Sequence, residues 1–291
     1  MVILDGGMSN ALEDRGHDLA DALWSARLLR DAPDEVAAVH RAYFGAGAAV
    51  ATTASYQASV DGFRRAGVDR AEAERLVRDS VVIARRVRDE MSVDGRERLV
   101  AASVGPYGAV LADGSEYRGR YGVGSAALRE FHLPRLELLA AAGPDLLAVE
   151  TFPDVDEAEV VVGLLDDIGV PAWLSFTVSG GLTRAGQTLR DGFALAASSS
   201  AVVAVGVNCC APADVLPALE TARTVTDLPL VAYPNGGQTW DGARRRWSGG
   251  STYDVRLAPS WVAAGARYVG GCCRVGPRDI EALARTLGTR G

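Results

Sequence analysis

Four cysteines, arranged as two adjacent pairs, are the residues of this sequence best suited to chemistry. Cys209 and Cys210 follow the apolar run 202–207, and Cys272 and Cys273 follow two glycines at the end of another apolar run. Both pairs therefore lie at the exits of strand-like segments that are far apart in the chain. Such an arrangement can gather several thiols at one point in space.

Three interpretations of these thiols stay open on the residues alone. One is packing, because a free cysteine behaves as a small buried hydrophobe. The second is a disulfide, which suits a reduced compartment poorly and is strained between adjacent cysteines. The third is a metal site that uses one thiolate of the first pair and both of the second. Three protein ligands leave a coordination position open for chemistry, whereas a closed structural zinc site uses four.

The composition of the chain excludes several classes of function. The net charge is −7 and the pI is near 5.1, which gives no reason to expect a nucleic-acid or anionic-membrane partner. All 30 basic residues are arginine, which excludes a lysine base or a Schiff base. No apolar run reaches the 18 residues of a membrane span, and the N-terminus lacks signal-peptide features, so we expect a cytoplasmic protein.

Eight apolar, strand-like runs alternate with helical patterns along the 291 residues. They lie at 2–4, 48–53, 99–104, 146–149, 172–177, 202–207, 228–233 and 268–270. Continuous apolar strands separated by helices predict a parallel sheet, and eight units in this length predict one TIM-type (β/α)8 barrel over 1–291. A doubly wound sheet is the alternative, but no G-x-G-x-x-G follows the first strand and no P-loop occurs.

Polar side chains at the predicted strand exits give the barrel a candidate active site, because the C-terminal ends of the strands form that site in such barrels. Besides the cysteines they are Asp5, Tyr56, Glu150, Asn208 and Asn235. Each alone has a structural explanation, such as capping a turn, but two carboxylates and three thiols at one mouth indicate a site. No histidine falls at an exit, which disfavours a histidine metal site. The glycine-rich loop 105–124 is longer than a connection requires and is a candidate lid.

At the level of motifs, the sequence resembles the homocysteine S-methyltransferases along almost its whole length. The motifs are Asp5-Gly6-Gly7-Met8, Leu23-Trp24-Ser25, Thr53-Ala54-Ser55-Tyr56-Gln57-Ala58-Ser59, Glu150-Thr151, Gly206-Val207-Asn208-Cys209, Tyr233-Pro234-Asn235 and Gly270-Gly271-Cys272-Cys273. The branch that it resembles uses S-methylmethionine or S-adenosylmethionine. The resemblance implies a zinc-binding β/α barrel that methylates homocysteine to methionine.

The resemblance also implies roles for individual residues. Cys209, Cys272 and Cys273 are the expected zinc ligands, while Cys210 has no ligand counterpart and is expected to be a buried or spare thiol. Asp5 and Glu150 are expected to hold the homocysteine amino group. We place three further strand-exit residues in the substrate-binding set: Tyr56, at the thiol and methyl-donor site, with Asn208 and Asn235.

The chemistry of three thiolates supports this interpretation independently. A free thiol has a pKa near 8.5, so only about a few per cent is thiolate at neutral pH. Zinc binding displaces the thiol proton. Three cysteinate ligands make the metal a weak Lewis acid and leave a bound sulfur electron-rich, which favours sulfur alkylation over hydrolysis. A sulfonium donor leaves as a neutral thioether and needs no general acid.

The choice of methyl donor and acceptor is open at this stage. Betaine usually requires an aromatic cage, and the betaine enzymes of the family carry an aromatic residue where this chain has Thr151. S-Methylmethionine and S-adenosylmethionine are not distinguished, and neither are selenocysteine or selenohomocysteine as acceptors. A zinc hydrolase and a non-catalytic thiol or zinc sensor are the alternatives from other classes. The oligomeric state is open.

Overall fold

A closed ring of eight parallel strands forms the centre of the structure, a computed structural model that describes residues 1–19, 23–111, 113–241 and 246–288. The strands are β1 (Val2–Ile3), β2 (Val50–Thr52), β3 (Leu99–Val104), β4 (Leu146–Phe152), β5 (Ala172–Phe176), β6 (Val202–Asn208), β7 (Leu230–Tyr233) and β8 (Ala266–Val269).

The strands pair in chain order, and the first strand closes the ring. β1 pairs with β8 through Val2 and Tyr268, and an isolated parallel bridge joins Leu4 to Val50 at the other side. The (β/α)8 barrel predicted from the alternation of strands and helices is therefore confirmed, and the doubly wound alternative is wrong.

Helices surround the barrel and cover its outer face. They are α1 (Met8–Glu13), α2 (Leu28–Asp31), α3 (Pro33–Gly45), α4 (Val60–Arg65), α5 (Arg70–Met91), α6 (Tyr107–Leu111), α7 (Ser125–Ala141), α8 (Val155–Ile168), α9 (Leu189–Ala194), α10 (Pro212–Arg223), α11 (Ala258–Ala263) and α12 (Pro277–Thr286). Two small antiparallel hairpins pair Val178–Ser179 with Leu182–Thr183, and Thr239–Asp241 with Arg246–Ser248. None of the described helices is long and apolar enough to cross a membrane.

Two apolar clusters lie on opposite sides of the strands, one outside the barrel and one inside it. On β4, Leu147 and Val149 pack in the large cluster between strands and helices, whereas Leu146 and Ala148 pack in the small cluster inside the ring. Because side chains alternate along a strand, Glu150 follows Ala148 on the inner side. The two-residue repeat thus directs this carboxylate towards the barrel axis.

The inner face of the barrel changes from apolar to polar towards the strand exits. On four strands a buried polar residue stands two positions after an apolar residue of the inner cluster. These polar residues are Ser103, Glu150, Ser175 and Tyr233. All four are buried, so they form a polar layer on top of the apolar interior and a floor for the site above it.

Candidate active site

The sulfur atoms of Cys209, Cys272 and Cys273 meet at the mouth of the barrel. All three Sγ atoms lie within 4.8 Å of one another, and those of Cys209 and Cys273 are 3.7 Å apart. Cys209 directly follows β6, and the other two follow β8. The convergence of these strand ends, expected from the sequence, therefore occurs.

This cluster has the dimensions of a metal site. Zinc–sulfur bonds of about 2.3 Å in a tetrahedron place neighbouring sulfurs about 3.8 Å apart, close to the distance between Cys209 and Cys273. Among the described residues, these three cysteines are the set of histidine, cysteine and acidic side chains close enough to share an ion. The donor set thus fits a thiophilic ion with three protein ligands.

Electrostatics within the cluster also favour a bound cation. Hydrogen bonds from Cys272 and Cys273 lower the pKa of the Cys209 thiol. Hydrogen bonding to Cys209 raises the pKa values of the Cys272 and Cys273 thiols. Without a cation the three sulfurs therefore hold a single negative charge readily, and a dication would stabilise three thiolates together.

The turn after β6 separates the two cysteines of the first pair. Cys209 has a φ of 47°, in the left-handed region that non-glycine residues rarely adopt. It directs its sulfur to the cluster, whereas Cys210 is fully buried in the apolar cluster outside the barrel. Burial raises the pKa of the Cys210 thiol, which stays protonated. Cys210 is accordingly a packing residue, as expected.

Asp5 is fixed at the exit of the first strand by Thr52. The backbone N–H of Thr52 donates to Oδ2 of Asp5 at 2.7 Å, and its hydroxyl donates to Oδ1 at 2.8 Å. Burial nevertheless dominates and raises the pKa of Asp5 to about 8. The carboxylate is therefore held in position but gains from a positively charged ligand.

Glu150 is held by two hydroxyl groups of the polar layer. Ser103 donates to Oε1, and Tyr233 donates to Oε2 at 2.9 Å. Tyr233 in turn accepts from Nε1 of Trp173 at 2.9 Å, deeper in the barrel. Burial raises the pKa of Glu150 to about 7. Like Asp5, this carboxylate is rigidly placed and gains from a cation.

Tyr56 is positioned by a buried arginine on α7. Arg135 donates to the backbone oxygens of Ser55 and Tyr56, both at 2.6 Å, and to that of Gly105 at 2.8 Å. A Cβ atom at Gly105 would approach the Tyr56 ring to 2.7 Å, so glycine is required there. The exits of β2 and β3 are thereby joined beneath the Tyr56 ring, which lines the cavity.

The side chains of Asn208 and Asn235 bond to other groups of the protein and do not line the cavity. Oδ1 of Asn208 accepts from the Thr151 backbone N–H and the Ser175 hydroxyl, while Nδ2 donates to the Thr151 hydroxyl. These bonds hold Thr151 at a φ of 61°, directly after Glu150. Asn235 accepts from the backbone N–H of Gly237. Neither asparagine lines the cavity, unlike the other predicted substrate-binding residues.

The loop 105–124 contributes two side chains that the sequence did not identify. A short 3-10 helix, Ser115–Tyr117, places Glu116 and Tyr117 in the cavity lining. The Tyr117 hydroxyl lies 3.4 Å from Sγ of Cys209. No strand exit marks these residues, and only the unusual length of the loop pointed to this segment.

A cavity at the mouth of the barrel is lined by most of the predicted site residues, but not by the two asparagines or Cys210. Asp5, Tyr56, Glu150 and the three cysteines all line it. Thr52, Ser103 and Tyr233 line it as well, although they are not among the strand-exit residues predicted from the sequence. A signal for all three was available, because each stands two residues after an inner apolar residue. The arrangement can hold a metal ion beside two buried carboxylates.

The chain is similar to known proteins over almost its whole length. A family model described as homocysteine S-methyltransferase matches residues 2–287. A homocysteine S-methyltransferase of Escherichia coli K12 is 45% identical, covering 97% of this chain and 94% of that protein. A homocysteine S-methyltransferase of Bacillus subtilis is 41% identical, covering 98% and 93%.

A solved structure agrees with the sequence comparison. The homocysteine methyltransferase MmuM from Escherichia coli, in its metallated form, matches with a TM-score of 0.88 and 44% identity. The match covers 98% of this chain and 96% of that one. On this evidence the chain belongs to the homocysteine S-methyltransferase family and is a methyltransferase.

Proposed function

We propose that this enzyme methylates the thiol of homocysteine to give methionine, with zinc as its metal and a sulfonium compound as its methyl donor. The observation that carries the proposal is the convergence of three thiols and two buried carboxylates in one cavity. A thiol amino acid carries the two complementary groups, a sulfur for the metal and an ammonium for the carboxylates. The names of the relatives support homocysteine as that amino acid.

Cys209, Cys272 and Cys273 are the proposed zinc ligands. Zinc held by three thiolates would keep the substrate sulfur deprotonated and electron-rich at neutral pH. The three cysteines would supply three of its ligands, and the substrate sulfur would supply the fourth. Their negative charge also disfavours the activation of water, which argues against a hydrolase.

Asp5 and Glu150 are proposed to bind the homocysteine ammonium. Each carboxylate is buried and already fixed by hydroxyl or amide donors, so little ordering is required when the substrate arrives. A cation beside them also offsets the unfavourable burial of their charge. Tyr56, on the same cavity wall, is proposed to orient the reacting sulfur and the donor methyl group.

Asn208 is proposed to act through Thr151 rather than through the substrate. Its amide holds the backbone and hydroxyl of Thr151, and that residue keeps Glu150 at its place on β4. For Asn235 we propose a role in the turn after β7, where its side chain accepts from Gly237.

A donor screen tests the proposed function. Zinc-loaded protein is incubated with homocysteine and, separately, S-methylmethionine, S-adenosylmethionine or betaine, and methionine formation is measured. We expect product with at least one sulfonium and none with betaine, because Thr151 does not supply the aromatic ring that a quaternary ammonium requires. Absence of product with both sulfonium donors would refute the proposal.

A further inference from the structure

Glu116 has a buried carboxylate with one unpartnered oxygen. The residue is 5% exposed, and its Oε2 atom is buried with no hydrogen-bond partner. It lines the same cavity as the three cysteines. Buried polar atoms are nearly always hydrogen-bonded, and an unpaired buried carboxylate is especially unfavourable. Such a group therefore indicates a ligand that supplies the missing partner.

The other two buried carboxylates of the cavity contrast with Glu116. Both oxygens of Asp5 and both of Glu150 accept hydrogen bonds from the barrel. These hydrogen bonds fix the two carboxylates before any ligand binds. Glu116 lacks a donor at Oε2, and burial raises its pKa to about 7.

The charges around the cavity show what kind of ligand Glu116 suits. Among the described residues, the lining contains Asp5, Glu13, Glu116 and Glu150 but no basic side chain. The cation Arg184 lies against the Tyr117 ring, 5.9 Å from its centre, and is not part of the lining. Among the described lining residues none supplies a positive charge for Glu116, and a cationic ligand would supply it.

The position of Glu116 places that charge near the sulfur cluster. Its neighbour Tyr117 lies 3.4 Å from Sγ of Cys209, so the 3-10 helix borders the cluster. We propose that Glu116 binds the sulfonium group of the methyl donor and makes the site selective for positively charged donors. This inference rests on the proposed function, since it requires a sulfonium to enter the cavity.

The reaction determines how such a contact influences turnover. The homocysteine thiol first loses its proton to solvent, and the thiolate sulfur then attacks the donor methyl carbon. A new carbon–sulfur bond forms, while the bond to the donor sulfur breaks and leaves its electron pair on that sulfur. The donor becomes a neutral thioether, so its attraction to Glu116 decreases towards the transition state. Glu116 therefore contributes to donor binding more than to the chemical step.

The substitution Glu116→Gln tests this assignment. It keeps the size of the side chain and removes the charge. We expect the KM for S-methylmethionine to rise about 10- to 100-fold, because two opposite charges in contact at a partly buried site attract strongly. We expect kcat at saturating donor to be unchanged or higher. The matched control is Glu130→Gln, an exposed residue of α7 outside the lining, which should leave both constants unchanged.

An uncharged analogue of the donor identifies the group that Glu116 contacts. In 2-amino-5-methylhexanoate a C–H replaces the sulfonium sulfur, and the ammonium and carboxylate are retained. As a competitive inhibitor against the donor, it should bind the wild type and Glu116→Gln equally well. Equal weakening of donor and analogue would overturn the proposal, because the contact would then be to the ammonium.

The kinetic outcomes separate this inference from the proposed function. A wild-type enzyme that transfers no methyl group from S-methylmethionine or S-adenosylmethionine contradicts the proposed function itself, and this inference with it. An active wild type with an unchanged donor KM in Glu116→Gln overturns only the role of Glu116. A fall in kcat at an unchanged donor KM also overturns it, since the contact would then act on the chemical step.

Discussion

The strand ends and the loop 105–124 contribute to the same cavity in different ways. Asp5 and Glu150, at strand ends, have both oxygens occupied by donors from the barrel. Glu116, on the loop, has an unpartnered buried oxygen. On the proposed function, the barrel holds the carboxylates for the amino acid and the ligands for the metal in fixed positions, while the loop supplies a carboxylate for the methyl donor.

Substitution of one of the three cysteines at the strand ends should have the largest effect on metal content and activity. Cys209→Ala, Cys272→Ala or Cys273→Ala leaves two thiolates. Structural zinc sites are worth about 10–16 kcal/mol over four ligands, so one ligand contributes roughly 3 kcal/mol, or about 100-fold in metal affinity. We expect zinc content and methyl transfer to fall together, measured by metal analysis and methionine formation.

Cys210→Ala is the matched control for the loss of a thiol. Its side chain packs outside the barrel, so metal content should be retained while thermal stability decreases slightly. If Cys210→Ala lost the metal and Cys209→Ala kept it, the assignment within this pair would be wrong.

Substitution of a strand-end carboxylate should produce the next largest effect. Glu150→Gln keeps the shape and removes the charge that we propose for the substrate ammonium. A charged hydrogen bond of this kind contributes about 1.5–3 kcal/mol, so homocysteine should bind about 10- to 150-fold more weakly. The KM for homocysteine measures this loss, and zinc content should be unchanged.

An acceptor without an amino group provides the control for Glu150→Gln. The wild type and the variant should bind 4-mercaptobutanoate, which is homocysteine without its amino group, about equally. Loss of zinc, or loss of turnover at saturating homocysteine with KM intact, would instead place Glu150 in the support of the metal or in the chemical step.

Much of the strand-end region was predictable because regular structure repeats. The alternation of apolar runs and helices predicted the barrel, and β3 begins and ends at the predicted residues. Since parallel strands leave a barrel at the same end, their exits also predicted that one cysteine of the first pair would meet Cys272 and Cys273, and the resemblance implied that it is Cys209. Sequence reasoning on residue order and strand ends therefore identified residues of the cluster of sulfurs and the two fixed carboxylates.

Other features depend on contacts that residue order does not encode. Asn208 stands at a strand exit like Glu150, but its amide is used entirely within the barrel. Only the folded structure shows that Glu150 lines the cavity, whereas Asn208 contacts Thr151. Glu116 reaches the cavity through an irregular loop, whose path no periodicity predicts. The loop was expected as a lid, and its described residues form α6 and a 3-10 helix beside the cluster.

The raised pKa values of the strand-end carboxylates predict that homocysteine binding depends on pH. Burial raises the pKa of Glu150 to about 7 and that of Asp5 to about 8 in the free protein. Both are acids, so they are neutral below these values and gain their negative charge as the pH rises through them. Binding of the homocysteine ammonium should therefore strengthen between about pH 6 and 8, by up to about tenfold per pH unit.

The ratio of two acceptors isolates this dependence from thiol ionisation. Homocysteine and 4-mercaptobutanoate both carry a thiol, so the ratio of their affinities reports only the pairing between ammonium and carboxylates. That ratio should increase as the pH rises, and Glu150→Gln should retain only the part governed by Asp5, near pH 8. A ratio that does not change with pH would contradict the assignment of both carboxylates to the ammonium.

The loop should affect the metal least, through the contact between the Tyr117 hydroxyl and Sγ of Cys209. Hydrogen bonding by this hydroxyl contributes to lowering the pKa of the Cys209 thiol, so Tyr117→Phe should weaken metal binding. One such bond is worth about 0.5–1.5 kcal/mol, or about 2- to 10-fold in affinity, measured by competition with a chelating dye.

Tyr121→Phe is the matched control, because that hydroxyl donates to Glu157, away from the sulfurs. Equal effects of the two substitutions would show that the loop acts on the cluster only through its general stability, and a loss near 100-fold for Tyr117→Phe would place the loop on a level with the strand ends.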